Sequence, residues 1–422
     1  MRILHTADLH IGQIIYQHYG RNDEHLHFFH QLEKWIKEYE PDLLVVAGDI
    51  FDMPQPSASC WKMFTETFVS IRKLRQDMAI VIIAGNHDSA SRLQSHSEIW
   101  ALADTYIIGS TPPLNFREHS NWEEKFILRL PKGYVIALPY MSSDKADAVI
   151  ALQEYVEKEN TNGLPVVMTG HLAVTGCDFT GHDSEIGMLR TIDIERFGTG
   201  YDYFALGHIH RPQTIKHYPS KEVGDGWIAS PVSRYSGSAL HVSCDENFPH
   251  SVTLADIDAH KKKVKIRELR IHQLRHFYNL PLNKEAFNNE KEVFKYLVKF
   301  IDENESCYIR IKMEKGADLP SDFNNRIYAF IEESGKDIRY NPKIIWIGDD
   351  EEEKTSDDLE TEIAVEDLQQ MTDPLEFIRL TADRYPALDM STLPSVFKEI
   401  AEELILMQEE EASKNLKSRK TQ

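Results

Sequence analysis

The chain has 422 residues, 41% of them hydrophobic and 27% charged, with a formal net charge of −21. That length and composition predict a soluble globular protein of two or three domains. No apolar run approaches about 18 residues, which excludes a transmembrane helix and predicts no membrane partner. The acidity weighs against a nucleic-acid binder, but only lightly. Twelve acids face one base, Lys354, between Asp349 and Asp373, so that stretch holds −11 and the rest of the chain −10. No signal-peptide pattern follows Met1. Cys60, Cys177, Cys244 and Cys307 are scattered and form no C-x-x-C. Together these features predict a cytoplasmic protein with reduced thiols and no thiolate zinc site.

In chain order, the first strand candidates are Arg2 to Thr6, Leu43 to Ala47 and Ala79 to Ala84. They are separated by helical periodicity over His25 to Glu40 and Ser59 to Gln76. Further candidates are Tyr134 to Leu138, Val166 to Thr169 and Tyr203 to Leu206. The βαβαβ order predicts an α/β fold with a parallel sheet and right-handed crossovers. Trp227 to Ala229, Ser251 to Ile257 and Lys263 to Ile271 alternate in polarity and predict an antiparallel continuation.

From Leu274 to Ile347 the pattern changes to helix (Lys291 to Glu303), strand (Cys307 to Met313), helix (Asp322 to Ser334) and strand (Lys343 to Ile347), a small α+β domain. Phe294, Tyr296 and Phe300 at helical spacing there read as core. The acidic run opening at Asp349 predicts a solvated linker over 349–371. Helical character returns over 372–422, starting at Asp373-Pro374 and again at Ser391, before a polar tail.

Every strong polar cluster of the first 270 residues or so follows an apolar strand candidate, where α/β proteins place their sites. These are Asp8-Leu9-His10, Gly48-Asp49 with Asp52, Gly85-Asn86-His87-Asp88, Gly170-His171 and Gly207-His208-Ile209-His210. Members of D-x-H and H-x-H, two residues apart in extended chain, would project to one side, so that one ion could see both. Asp8, His10, Asp49, Asn86, His171, His208 and His210 supply oxygen and nitrogen without a thiolate. That set suits Mn, Fe, Zn or Co. It is too large for one ion and suits two divalent ions, which clamp an in-line displacement at phosphorus. A lone histidine carries little weight by itself. His25, His27 and His30 on the first helix are expected to be solvated or to pack on the sheet, and His182, His217 and His241 are isolated.

The order of these motifs resembles the calcineurin-like metallophosphoesterases, and within them the SbcD-type nuclease subunits of bacterial SbcC–SbcD complexes. The likeness rests on "RILHTADLHIGQIIYQHYGRNDEH", "VVAGDIFD", "AGNHDS", Thr169-Gly170-His171-Leu172 and "YFALGHIHRPQ". It is close over about residues 1–245 and looser beyond. Two departures are Leu9, where an aromatic residue is common, and Ala239 of Ser236-Gly237-Ser238-Ala239, where proline is usual.

The resemblance implies an α/β/β/α sandwich over 1–272, a capping α+β domain over 273–348, and helices over 372–422 that dock on an SbcC-type coiled-coil ATPase. It implies that Asp8, His10, Asp49 and His210 hold one ion, and that Asp49, Asn86, His171 and His208 hold the other, Mn²⁺ in both positions. His87 would face the phosphate and Asp88 would orient His87. Tyr16, His18, Arg21, Asp52 and Arg211 would lie against DNA. The implied activity is 3′-to-5′ exonuclease and hairpin endonuclease action in DNA repair and recombination, by a homodimer within a heterotetramer. A two-metal phosphatase or cyclic-nucleotide phosphodiesterase would need the same ligands. A non-catalytic subunit would need neither the complete set nor His87.

Overall fold

The structure is a computed structural model that describes residues 1–348 apart from 17, 114, 142–144, 181–190, 216–221, 243–245 and 247. The expected linker (349–371), the C-terminal helices (372–422), and Cys244, His182 and His217 lie outside the described residues.

β1 (Arg2–Thr6) leads through a short hairpin, β2 (Ile14–Ile15) and β3 (Tyr19–Gly20), into α1 (Asn22–Tyr39). There follow β4 (Leu43–Ala47), α2 (Ala58–Leu74), β5 (Ala79–Ile83), the short α3 (Ala90–Gln94) and α4 (Ser97–Ala101), and β6 (Thr105–Ile108). β7 (Ile127–Leu130), β8 (Gly133–Leu138), α5 (Ala146–Glu159), β9 (Val166–His171) and β10 (Tyr203–Gly207) come next. β11 (Gln213–Ile215), β12 (Trp227–Ala229), β13 (Val232–Tyr235), β14 (Ser251–Asp258) and β15 (Lys263–Arg270) complete the larger part.

β4 shows why these runs fold as they do. All five of its residues are buried, and its side chains alternate between two apolar layers. Leu44 and Val46, with Ile80 and Ile82 of β5, pack beneath Phe28, Leu32 and Ile36 of α1 and Phe64, Phe68 and Ile71 of α2. Val45 and Val81 face the other way, into a layer shared with Val135, Ala137, Val167 and Ala205. Those four residues belong to a second sheet, so a single parallel sheet is not what forms. Among the described residues one sheet runs β12-β15-β14-β1-β4-β5-β6 and the other β11-β13-β10-β9-β8-β7. Val149, Leu152 and Val156 of α5 join the layer that contains the second sheet. The result is the α/β/β/α sandwich. The antiparallel strands β14 and β15 extend the first sheet beyond β1, as their alternation predicts.

The third sheet is parallel throughout, β16 (His276–Leu280), β17 (Ser306–Glu314) and β18 (Asp337–Ile347), with α6 (Glu290–Glu303) and α7 (Phe323–Ser334) between its strands. Val293 and Leu297 of α6 and Ile327 of α7 close over Ile309 and Ile311. β16 has no clear apolar alternation and escapes the sequence pattern.

A buried charge network joins this sheet to the start of α1. Arg21 and Glu24 are both 0% exposed and paired at 2.7 Å. Tyr308 of β17 donates to Glu24 at 2.6 Å, and Arg275 and Arg339 approach the same carboxylate at 3.4 and 3.5 Å. Arg275 also donates to Asp337 at 2.8 Å. Removing the one carboxylate that serves three guanidinium groups would strand buried charge, at a cost of about 3–5 kcal/mol. Glu24→Leu is therefore expected to lower the urea midpoint of unfolding at an unchanged slope. A midpoint equal to that of the unaltered protein would show that the network contributes nothing net.

Among the described residues, Cys60, Cys177 and Cys307 are buried free thiols, and no helix is long and apolar enough to cross a membrane.

Candidate metal centre

The carboxyl ends of β1, β4, β5, β9 and β10 meet at a place where the two sheets approach closely. At Gly207 an added Cβ would stand 1.8 Å from the Ala47 carbonyl oxygen, so nothing larger fits between the layers. The loops after β1 and β4 run together: Asp8 N–H donates to Gly48 O at 3.0 Å, and Leu9 and His10 N–H donate to Asp49 O at 2.8 and 3.0 Å. Asp8 (φ 51°), His10 (φ 47°), Asp49 (φ 48°) and His208 (φ 94°) all adopt left-handed backbone. Each such residue costs on the order of 1–3 kcal/mol, a cost that clusters at functional sites. This geometry overturns the extended-chain reading of D-x-H and H-x-H. Asp8 and His10 converge because the chain turns, and His208 and His210 go to different groups.

Asp8, His10 and His210 each place a ligand atom within 4.8 Å of the others, and so do Asp49, His171 and His208. Asn86 joins the second group, with Oδ1 3.0 Å from both His171 Nε2 and His208 Nδ1. Asp49 lies between the groups, with Oδ2 3.2 Å from His171 Nε2 and 3.9 Å from His10 Nε2. An added Cβ at Gly85 would stand 2.0 Å from Asp49 Oδ1, which explains the glycine there.

The donor set fits divalent cations. His171 Nδ1 lies 2.8 Å from the Ala47 carbonyl, which can only accept, so Nδ1 carries the proton and Nε2 is the ligating nitrogen. Nε2 points at two acceptors, the Asn86 amide oxygen and Asp49, an arrangement that calls for positive charge between them. The same demand bears on the protonation of the His171 ring. Burial opposes its charge, yet the Asp49 and Asp8 carboxylates hold it up to about 9. Burial would raise Asp49 too, but His171, His10 and His87 outweigh it and hold Asp49 well below the usual carboxylate range. Burial dominates at Asp8 and raises it. Asp8 Oδ2 and His10 Nε2 are buried without a hydrogen-bond partner among the described residues, as expected of atoms reserved for a metal, while His10 Nδ1 faces Asp52 on its other side.

His87 is half-buried beside these groups, with its ring 4.8 Å from that of His10. Its backbone N–H donates to Asp49 Oδ1 at 2.9 Å, and its Nδ1 to the Asp52 carbonyl at 2.9 Å. Nε2 is thus the nitrogen turned to the reaction side. With His10 and Asp49 it also falls within ligand range, so distance alone does not separate a ligand from an acid. The expected contact from Asp88 to the His87 ring is absent among the described residues. Asp88 accepts instead from the N–H groups of Gly85 (2.8 Å), Ile50 (3.0 Å) and Phe51 (2.9 Å). It clamps the β4 loop to the β5 loop and thereby sets Asp49 against Asn86 and His87. Burial pushes the Asp88 carboxyl up to about 6.

The expected DNA contacts divide. Arg21 is wholly buried in the charge network and donates to Gln13 at 2.7 Å, so it is not a surface contact. Tyr16 is half-buried, edge-on to Phe277 and Tyr308. His18 is exposed and lies 3.8 Å, ring to ring, from Tyr19. Asp52 sits inside the site, 3.4 Å from His10 Nδ1. Arg211 pairs with Asp178 and covers the Phe248 ring at 5.8 Å.

Two residues take roles that the sequence does not signal. His25 is buried, not solvated, with its ring between Arg21 O (3.0 Å) and Leu9 O (2.8 Å), which ties α1 to the D-x-H turn. Glu246 lies 2.8 Å from His210 Nδ1. Leu9 is buried in the outer core, away from the ligands that flank it. Ala239 donates its N–H to Asp8 O at 3.3 Å, a bond that proline could not make.

The calcineurin-like phosphoesterase family matches residues 1–212. The chain belongs to this family. Similar to it are the SbcD component of the nuclease SbcCD from Bacillus subtilis, 30% identical over 272 residues, and that from Escherichia coli K12, 28% identical over 287. Each match covers 61% of this chain and 66% of the relative, so the chain spans just under two thirds of the length of these curated relatives. A dimetal phosphatase from Danio rerio aligns with a TM-score of 0.38 at 10% identity, over 64% of this chain and 96% of that one.

Proposed function

We propose that the chain is a two-metal phosphodiester hydrolase acting on DNA ends and hairpins, the nuclease subunit of a complex with an SbcC-type ATPase. The observation that supports the reading is the pair of adjoining oxygen–nitrogen ligand groups, Asp8–His10–His210 and Asp49–His171–His208, with Asp49 3.9 Å from His10 and His87 within ligand range of His10 and Asp49. Asp8, His10, Asp49 and His210 would hold one ion, and Asp49, Asn86, His171 and His208 the other, with Mn²⁺ as the physiological metal. Two such ions supply Lewis acidity to the phosphoryl oxygens and lower the pKa of an attacking water. His87, fixed through Nδ1, presents Nε2 to the developing charge or the leaving oxygen. Asp88 keeps the two loops in register. Residues 273–348 would cap the site and help hold DNA, with His18, Tyr16 and Arg211 on the accessible side. The helices beyond 372 would dock on the ATPase, in a homodimer-based heterotetramer in the cytoplasm. Support for the substrate and partners comes from the curated relatives.

The test is Mn²⁺-dependent turnover of a hairpin or blunt duplex against a generic phosphomonoester, with and without the ATPase. DNA cleavage should far exceed monoester hydrolysis. The reverse ranking would make the protein a small-ester phosphatase or cyclic-nucleotide phosphodiesterase.

A further inference from the structure

The His210 ring is held from behind by a group that no motif contains. Glu246 is 2% exposed and its Oε1 lies 2.8 Å from His210 Nδ1. Its other oxygen takes the Val242 N–H at 3.0 Å and lies 3.3 Å from His250 Nε2. His250 is anchored in turn through Nδ1 at the Ser238 carbonyl, 3.0 Å away. Ser238 N–H donates to the His210 carbonyl at 3.0 Å. Ser238 therefore fixes the backbone of His210 and Glu246 its ring. A carboxylate acceptor at Nδ1 selects the tautomer in which Nε2 serves the Asp8–His10 group, and it raises the ring's strength as a ligand.

We propose that Glu246 is a positioning residue that acts through His210 to set the affinity of the Asp8–His10–His210 metal position alone. The inference rests on the two-metal reading above. Among the described residues, the polar contacts of Glu246 run to His210, Val242 and His250 and to no ligand of the second group, so the second position should not depend on it.

The test is titration with Mn²⁺ alone, by calorimetry, of the unaltered full chain, Glu246→Gln, Glu246→Leu, His210→Ala and the His210→Ala/Glu246→Leu double variant. Circular dichroism checks folding. Glu246→Leu should weaken one position by about 10- to 100-fold and leave the other within about threefold. Glu246→Gln keeps an acceptor oxygen and should weaken that position by about two- to tenfold. In the His210→Ala background the leucine change should add nothing further, because its effect passes through that ring. Unchanged affinity at both positions, equal weakening of both, or an undiminished effect in the His210→Ala background would each overturn the proposal. If Glu246→Leu fails to fold, Glu246→Gln decides: affinity unchanged at both positions overturns it. An unaltered protein that binds fewer than two Mn²⁺ ions would remove the two-metal reading and this proposal with it.

Discussion

Replacing His87 with alanine is expected to cut DNA cleavage by about 10²–10⁴-fold, the usual contribution of a positioned acid or base, while two equivalents of metal stay bound. The expectation follows from how the residue is held. Its backbone N–H supports Asp49 Oδ1 and survives the substitution, so the Asp49 carboxylate keeps its place. Its ring is fastened to the Asp52 carbonyl at 2.9 Å, which is a means of aiming Nε2. Cleavage rate and metal content by plasma mass spectrometry, measured on the same sample, check it. Metal content that fell together with activity would make His87 a ligand, a role its distance from His10 and Asp49 permits.

Asp49→Asn should produce a different failure. The substitution keeps shape and one acceptor oxygen but removes the negative charge that faces His171 at 3.2 Å and His10 at 3.9 Å. A neutral amide cannot bridge two cations as a carboxylate does, so both positions should weaken and cleavage should fall to background. Thermal unfolding gives an independent readout. Mn²⁺ at a thousandfold excess over its dissociation constant would stabilise the unaltered protein by about 4 kcal/mol through binding, and the variant should lose that increment. If Asp49→Asn kept both the metal-induced stabilisation and the cleavage, the two groups would not share this residue.

Much of this site is legible in the sequence because each polar cluster interrupts an apolar run. Asp49 follows Leu43–Ala47, and Asn86 and His87 follow Ala79–Ile83. In a parallel sheet such interruptions share one edge. What the pattern does not reveal has physical causes. A strand buried on both faces reads the same whether helices or a second sheet cover it, so the division between the two sheets is invisible. The reason for convergence is hidden too, because left-handed backbone, as at Asp8, His10 and His208, is uncommon outside glycine and leaves no mark in the hydrophobic pattern. Glu246 lies 36 residues beyond His210 in a stretch without strand character, and nothing local links the two. Arg21, beside the first motif, reads as a surface base, whereas the rings it packs over, Phe277 and Tyr308, lie in a distant part of the chain.

Anomalous diffraction from crystals soaked in Mn²⁺ would place each ion against its ligands. Two peaks are expected side by side, one against Asp8, His10 and His210, the other against Asn86, His171 and His208, with Asp49 touching both. A single peak, or two peaks that do not share Asp49, would contradict the two-metal centre.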